Sequence, residues 1–523
     1  MKLADALRTL ADQIIDRQFR RGTGHGPRVE AQLDLFLETV SVLDYGTPYC
    51  PGTEITQITN DSRQVKPGAI FVAVKGAAAD GNRFIPQAAA AGAAAVVTAQ
   101  YADDPPEGVT CLIVKDDYLA YSLLCEAFYQ YPTRALTGFA VTGTNGKTTS
   151  AMLLQKLLNL SGHPCGLLST VCYDTGDGAP VAARCTTPEA GELFALLSAM
   201  RDNNLNAFAM EASSHALAQN RLGALRFRAA IFTNLTGDHL DYHHTMEEYF
   251  AVKCRLFQEH LAPGGLAVIH TDDPWGEKLA HLLPPDQVVS FGRHSGVWRI
   301  GDEAVTAAGS DFTLTGDGES AAFRTNLIGA YNITNIAGAV LALRAAALLK
   351  LSDAAELLAR HEIAVPGRLE RFQLPNGATV FVDYAHTDDA LRNVLQGLRT
   401  LHPARILTVF GAGGDRDRTK RPRMGKAAAE YSDKLYLTSD NPRSEDPESI
   451  LAMIAAGIPS GREFVQIPER EEAIRQALQE ARNGDIVLIA GKGHENYQIT
   501  AGVKRHCDDR ETVRQWLAAQ PRQ

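Results

Sequence analysis

Short apolar runs alternate with longer amphipathic stretches along most of the chain, and their spacing predicts the elements. GAIFVAV (68–74), AAAVVTA (93–99) and TCLIVKD (110–116) predict buried strands, and DYLAYSLLCEAFYQ (117–130) predicts a helix. Tyr131-Pro132-Thr133 ends that helix, because proline disfavours helical geometry in the residue before it. ALTGFAVTG (135–143) predicts a strand running into a glycine turn, and SAMLLQKLLNL (150–160) predicts the helix that follows. FAMEAS (208–213), AAIFTNL (229–235) and LAVIH (266–270) extend the series. A last group comprises TVFVDYAH (379–386), ARILTVFGAGG (404–414), KLYLTSDNPR (434–443), EFVQI (463–467) and DIVLIAGKGHE (485–495). Strands separated by helical stretches imply parallel sheets with crossover helices.

Two breaks divide this pattern. The first follows Pro132 and the second lies near VPGRLE (365–370). Before them, Leu3, Leu7, Leu10 and Ile14 fall on one helical stripe, and RRGTGHGPR (20–28) reads as a linker. The expected organisation is a helical extension and linker over 1–45, then domains over 46–134, 135–365 and 366–523. In the last of these, GAGGDRD, SDNPR and GKGHE each follow a strand directly. Ligands of open α/β sheets bind outside the carboxyl ends of the strands, so these loops are expected around one cleft.

Composition narrows the class. The chain has 523 residues and a net charge of −10, which argues against a nucleic-acid partner but not against an anionic small molecule. Eight cysteines without a C-x-x-C pair indicate neither a disulfide framework nor a zinc ribbon, which fits a reducing cytoplasm. The first residues lack a signal-peptide core, and no apolar stretch is long enough for a membrane span, so a soluble cytoplasmic protein is expected.

TGTNGKTT (142–149) carries the clearest chemistry. Backbone N–H groups of a glycine turn and helix N-terminus bind phosphate oxygens, a lysine neutralises charge, and a hydroxyl ligates Mg²⁺. The full G-x-x-x-x-G-K-[ST] pattern fails at Val141, so a chance strand–turn–helix stays open on this motif alone. Thr148, Glu211 after FAM, and His239 in FTNLTGDHLDYHH are candidate Mg²⁺ ligands. A zinc cluster or a solvated loop is the alternative for DHLDYHH, and a surface turn is the alternative for DNPR.

Taken together, TGTNGKTT, MEASSHAL, FTNLTGDHLDYH, Lys253 to Phe257, GAYNITN, GRLERF and DYAHT resemble, in order, the motifs of the Mur ligases. These are ATP-dependent amino-acid ligases of peptidoglycan synthesis, and the resemblance covers about residues 50–515. It implies an α/β fold of three domains, with a central P-loop-type parallel-sheet ATPase domain and a C-terminal Rossmann-like domain. DNPR is similar to the family's diaminopimelate-recognition motif. The implied reaction phosphorylates the free D-glutamate carboxylate of UDP-N-acetylmuramoyl-L-alanyl-D-glutamate, and an amine of meso-diaminopimelate then attacks the acyl phosphate. A sibling ligase using L-lysine and a catalytically silent nucleotide-sugar-binding relative are the alternatives.

The resemblance also implies site residues. Gly143, Thr144, Asn145, Gly146, Lys147, Thr148 and Thr149 would hold ATP phosphates, with Asn332, Asn335, Arg368 and Asp383 at adenine and ribose. Thr148 and Glu211 would serve one Mg²⁺, and His239 with Lys253 a second; in the family that lysine is carbamylated, whereas unmodified it would be an ordinary salt-bridge partner. Lys147, Glu211, His239 and Lys253 would be the catalytic set. Ser62, Arg63, Thr186, Thr187, Ser213, Gln219 and Arg221 would bind the UDP-muramoyl dipeptide. Arg416, Asp440, Asn441, Pro442, Arg443, Gly491 and Glu495 would bind diaminopimelate, with Arg443 forking a carboxylate and Glu495 receiving an ammonium. A monomer is expected. Three positions depart from the family: Asp388 replaces the usual proline, and Ala77 and Ala78 replace polar residues.

Overall fold

The computed structural model describes residues 1–3, 5–6, 14–16, 52–76, 79–100, 109–223 and 225–520. Leu7, Leu10, the 20–28 linker, Ala77 and Ala78 lie outside them. Ile14 corrects the expected helical stripe: Ile14–Asp16 is a strand, antiparallel to Thr110–Val114. β-Branched side chains favour the extended backbone, and a sheet edge offers unpaired N–H and C=O groups to receive it.

Contacts divide the chain into two compact units. One comprises Met1–Ala140, His163–Arg228 and Val252–Gly265, the other Val141–Gly162, Ala229–Ala251 and Leu266–Gln523. In the first unit, Gln57–Thr59, Ala69–Val72, Ala95–Thr98 and Thr110–Val114 run parallel, in sequence order across the sheet. Their apolar side chains, Phe71 and Val96 among them, pack with Ile85 and Ala88 of the Ile85–Ala90 helix. Asp116 caps the Asp117–Phe128 helix by accepting from the Leu119 N–H. Further along, Cys165–Leu168 pairs in parallel with Ala207–Glu211, which delivers Glu211 to a strand end.

The second unit carries the glycine loop on the helix Lys147–Leu160. Strands Leu261–His270, Val288–Gly292 and Trp298–Thr306 pair in parallel, then Gly309–Gly316 and Glu319–Thr325 continue antiparallel. Residues 298–325 have no predicted element, yet Trp298, Ile300, Phe312, Leu314 and Phe323 alternate with exposed neighbours, the period of a half-buried strand.

A six-stranded sheet ends the chain. Its order is Glu370–Gln373, Thr379–Asp383, Ile486–Ala490, Ile406–Phe410, Lys434–Leu437 and Glu463–Gln466, with only the first strand antiparallel. Helices cover both faces. One core includes Phe381, Leu395, Phe410 and Leu437; the other includes Val380, Val409, Ile474 and Ile489. This order makes Ile486–Ala490, Ile406–Phe410 and Lys434–Leu437 neighbours, so the loops after them share one sheet end. No described helix is long and apolar enough to cross a membrane.

Candidate active site

The glycine loop is fixed by its own two glycines and by a neighbouring segment. Gly143 and Gly146 have φ of +144° and +86°, and a Cβ at either would collide with Thr233 Oγ1 or Asn335 Oδ1 respectively. The 233–236 segment holds the loop from outside. Thr144 N donates to Asn234 O at 2.9 Å, Asn145 N to Asn234 Oδ1 at 3.0 Å, and Thr233 Oγ1 to Asn145 O at 2.6 Å. The helix starting at Lys147 has no side-chain cap, so its first turn presents donors and a positive dipole end. Lys147 Nζ donates to Gly143 O at 3.0 Å and Thr144 O at 2.9 Å, which folds the ammonium over the cradle.

Around this loop stand the other nucleotide candidates. Arg368 Nη2 donates to Thr148 Oγ1 at 3.1 Å, and its guanidinium lies 4.4 Å from the Tyr384 ring centroid. Asp383 accepts from the N–H groups of Leu369 and Ala385, both at 2.8 Å. Burial pushes its carboxyl pKa up, against the pull of Arg368. Asn332 and Asn335 share one face of the Ala330–Ala345 helix, 3.4 Å apart by Asn335 Nδ2 to Asn332 Oδ1. Asp389, which sequence reasoning missed, accepts from Asn145 Nδ2 at 3.2 Å. Its neighbour Asp388 opens the Asp388–Arg399 helix and lies 3.5 Å from Arg423. That first helical position favours proline, and a carboxylate there complements the helix dipole instead.

His239 is left-handed at φ +55°, with Nε2 3.5 Å from Asp238 Oδ2. Its ring lies edge-on to Tyr249, whose hydroxyl reaches Thr144 Oγ1 at 3.4 Å. Burial works against ionisation of Asp238, but His239, His386, Lys147 and Lys420 together hold its carboxyl below the usual range. The charges of the phosphate-loop lysine and of two groups of the C-terminal region thus act on one carboxylate.

The three loops after the C-terminal strands do meet. Arg443, at φ +55°, donates from Nη1 to Gly414 O at 2.8 Å and Asn441 O at 3.4 Å. Asn441 Nδ2 donates to Asp440 Oδ1 and to Glu495 Oε2, each at 3.0 Å, and Lys492 Nζ lies 3.3 Å from Glu495 Oε2. A Cβ on Gly491 would stand 2.7 Å from Asp440 Oδ2, and one on Gly414 would strike the Pro442 carbonyl. Arg416 is exposed and donates to Asp415 O at 3.0 Å. Asp440 is 8% exposed; burial opposes its charge, while Lys492 and Arg470 lead the groups that lower its pKa.

Sequence reasoning missed the two arginines that frame this cleft. Arg470 pairs with Asp509 at 2.7 Å and donates to Ala490 O and Ser439 O, just before Gly491 and Asp440. Arg421 holds Glu445 at 2.8 Å and Gly413 O at 3.2 Å. Both lie inside helical stretches where arginine reads as a solvated residue. Only their placement in the fold distinguishes them.

In the first unit another network forms. Glu211 is 1% exposed, and its oxygens accept from Thr170 N at 2.6 Å and Thr170 Oγ1 at 3.1 Å. Thr170 Oγ1 lies 3.2 Å from the Thr186 hydroxyl, from which it can accept. Thr187 Oγ1 lies 2.7 Å from Glu211 O and 3.0 Å from Ser213 Oγ. Arg221 donates to Thr187 O at 3.0 Å and Gln219 Oε1 at 2.6 Å, and pairs with Glu189 at 2.6 Å. Ser62 and Arg63 keep other partners: Ser62 Oγ reaches Gln87 Oε1 at 3.1 Å, and exposed Arg63 pairs with Asp61 at 2.8 Å. Lys253 is 1% exposed in the Met246–Glu259 helix.

Three family models match the chain in succession: Mur ligase family, catalytic domain, over residues 54–120; Mur ligase middle domain over 141–343; and Mur ligase, glutamate ligase domain, over 367–493. The UDP-N-acetylmuramoyl-L-alanyl-D-glutamate--2,6-diaminopimelate ligase of Gloeobacter violaceus is 45% identical over 470 residues, 90% of this chain and 95% of that one. A solved structure of a ligase with the same name has 34% identity and a TM-score of 0.64, covering 91% and 97% of the two chains. The fold is also that of a MurF ligase from Thermotoga maritima in complex with ADP, with a TM-score of 0.57, 19% identity, and 83% and 93% coverage. The chain belongs to the Mur ligase family. It is an ATP-dependent, amide-forming ligase of three-domain α/β architecture, with a central P-loop-type domain and a C-terminal Rossmann-like domain.

Proposed function

We propose that this ligase adds meso-2,6-diaminopimelate to UDP-N-acetylmuramoyl-L-alanyl-D-glutamate, with ADP and phosphate as products, in peptidoglycan biosynthesis. One observation carries the reading. Arg443, Asp440 and Glu495 converge from neighbouring loops around Asn441, whose side-chain amide donates to Asp440 and Glu495 and whose backbone carbonyl accepts from Arg443. Arg443 offers a planar fork to the carboxylate on the diaminopimelate side chain, which lysine lacks, while Asp440 and Glu495 can receive ammonium groups.

The chemistry needs a leaving group, because a carboxylate is a poor acyl donor. Transfer of the γ-phosphoryl from ATP to the D-glutamate carboxylate supplies one. The cradle of Gly143, Thr144, Asn145, Gly146, Lys147, Thr148 and Thr149 holds the phosphates, and Asn332, Asn335, Arg368 and Asp383 hold the nucleoside. Thr186, Thr187, Ser213, Gln219 and Arg221 orient the dipeptide, with Ser62 and Arg63 toward UDP. Positioning and charge stabilisation then lower the barrier.

Thr148 and Glu211 offer hard oxygen donors that fit Mg²⁺, and no group of three His, Cys, Asp or Glu side chains able to hold a metal occurs among the described residues. Such a sparse set suits an ion that keeps water and substrate phosphate in its shell. Bound there, Mg²⁺ would neutralise charge on the transferring phosphoryl. His239 and Lys253 would hold a second ion. Carbamylation would turn Lys253, buried in the Met246–Glu259 helix, from a cation into an anionic oxygen donor. We assign the domains to 46–134, 135–365 and 366–523, after an extension and linker over 1–45, and the protein to a cytoplasmic monomer.

Purified protein given the UDP-dipeptide, ATP, Mg²⁺ and one amino acid at a time tests the acceptor. Phosphate release is expected with meso-diaminopimelate; release with lysine alone would overturn the assignment.

A further inference from the structure

The proposed reaction leaves one proton without a home. The attacking amine arrives as an ammonium, and its nitrogen has no lone pair until a base removes a proton. His386 stands at the junction of the two half-sites. Its Nδ1 lies 2.8 Å from Tyr384 O. A carbonyl oxygen only accepts, so Nδ1 carries the hydrogen and Nε2 keeps its lone pair. The ring is packed against Tyr384, with centroids 4.7 Å apart. Tyr384 ties that ring to both half-sites: its hydroxyl donates to Glu495 Oε1 at 3.5 Å, and Arg368, which donates to Thr148 Oγ1 at 3.1 Å, lies 4.4 Å from its ring centroid. The charges of Lys420, Asp238 and Asp440 act on the imidazole.

We infer that His386 is the general base that deprotonates the incoming amine, held on Tyr384 between Glu495 in the amino-acid cleft and Thr148 in the phosphate loop. This deepens the ligase reading and rests on it. Nε2 takes one proton from the ammonium, giving the imidazolium and a neutral amine. The amine lone pair forms the C–N bond at the acyl carbon, and the C–O bond to phosphate breaks with its electron pair leaving on phosphate. The second proton of the amine goes to the departing phosphate, and the imidazolium returns its proton to solvent. Burial and the nearby Lys420 charge lower the imidazole pKa, with Asp238 and Asp440 opposing, so the ring rests neutral at neutral pH and is ready to accept.

Hydroxylamine separates the steps, because it is already neutral near pH 7 and captures an acyl phosphate without a base. Wild type and His386→Gln would be assayed with ATP, Mg²⁺ and the UDP-dipeptide, using either hydroxylamine or diaminopimelate as acceptor. The variant should form hydroxamate within a few-fold of wild type while amide formation falls roughly 10²- to 10⁴-fold. Its residual amide formation should climb about tenfold per pH unit toward the amine pKa, where the wild-type rate is flat. Equal losses with both acceptors, repeated in His386→Asn, would overturn the base assignment, as would an unchanged rate with diaminopimelate. Wild type that forms neither hydroxamate nor amide would instead sink the ligase reading itself.

Discussion

Replacing Arg443 tests how the cleft tells its acceptor from others. Its backbone is fixed from both sides, with Arg443 N donating to Ile499 O at 2.9 Å and Ala501 N to Arg443 O at 2.6 Å. Its Nη1 is anchored on Gly414 O and Asn441 O, which aims the planar fork and leaves its other donors for a carboxylate. Hydrogen bonds to charged groups contribute roughly 1.5–3 kcal/mol. Arg443→Ala should therefore cost ~2–3 kcal/mol of acceptor binding, an increase of about 30- to 150-fold in KM for diaminopimelate. Arg443→Lys keeps the charge but loses the fork, and about 1 kcal/mol, or roughly fivefold, is expected. Both replacements are L residues in the left-handed region that arginine already occupies, so neither adds backbone strain. Steady-state KM values for ATP and for diaminopimelate in the same preparations decide the matter. An ATP KM rising in step with that for diaminopimelate, or a lysine variant as impaired as the alanine one, would refute the reasoning.

Other predictions follow from the same geometry. Lys147→Ala should abolish turnover, because its ammonium lies over the cradle on the Gly143 and Thr144 carbonyls; wild-type rates in a phosphate-release assay would remove the ATP site from residues 143–149. Gly146→Ala forces a Cβ onto Asn335 Oδ1 at a positive φ, for a cost of roughly 1–2 kcal/mol plus the clash, and should weaken nucleotide binding in calorimetry. Asp272 resists burial by accepting from the N–H groups of Arg293, His294 and Ser295 and from the Ser295 hydroxyl, and its pKa falls to about 2. A depressed carboxylate stabilises the fold above the unfolded pKa of about 3.9, and this is lost as pH falls through about 2. Asp272→Asn should cost roughly 1–2 kcal/mol at pH 7, after allowance for solvent screening, and little at pH 2; denaturant melts at both values check it.

The alternation of apolar runs and helices located the parallel strands because those strands are buried on both faces and read as continuous runs, as in IVLIA and ILTVF. The strands over 298–325 escaped because they are half-exposed, and their charged positions break the run. The clustering of GGDRD, DNPR and GKGHE was legible from strand ends alone, since a parallel sheet places its carboxyl ends on one edge. Arg470 and Arg421 were not, because buried ion pairs with Asp509 and Glu445 join residues distant in sequence. Asp389 was hidden likewise: its bond to Asn145 spans 244 residues. His386 lay in a recognised motif, but its tautomer follows only from the Tyr384 carbonyl beside it.

The central claim is that ATP activates the dipeptide carboxylate before the amine attacks. UDP-N-acetylmuramoyl-L-alanyl-D-glutamate labelled with ¹⁸O in the D-glutamate side-chain carboxylate tests it in a single turnover with diaminopimelate and ATP. An acyl-phosphate route transfers one labelled oxygen from the carboxylate to inorganic phosphate, visible by mass spectrometry. Phosphate free of label, with tripeptide product formed, would contradict the account.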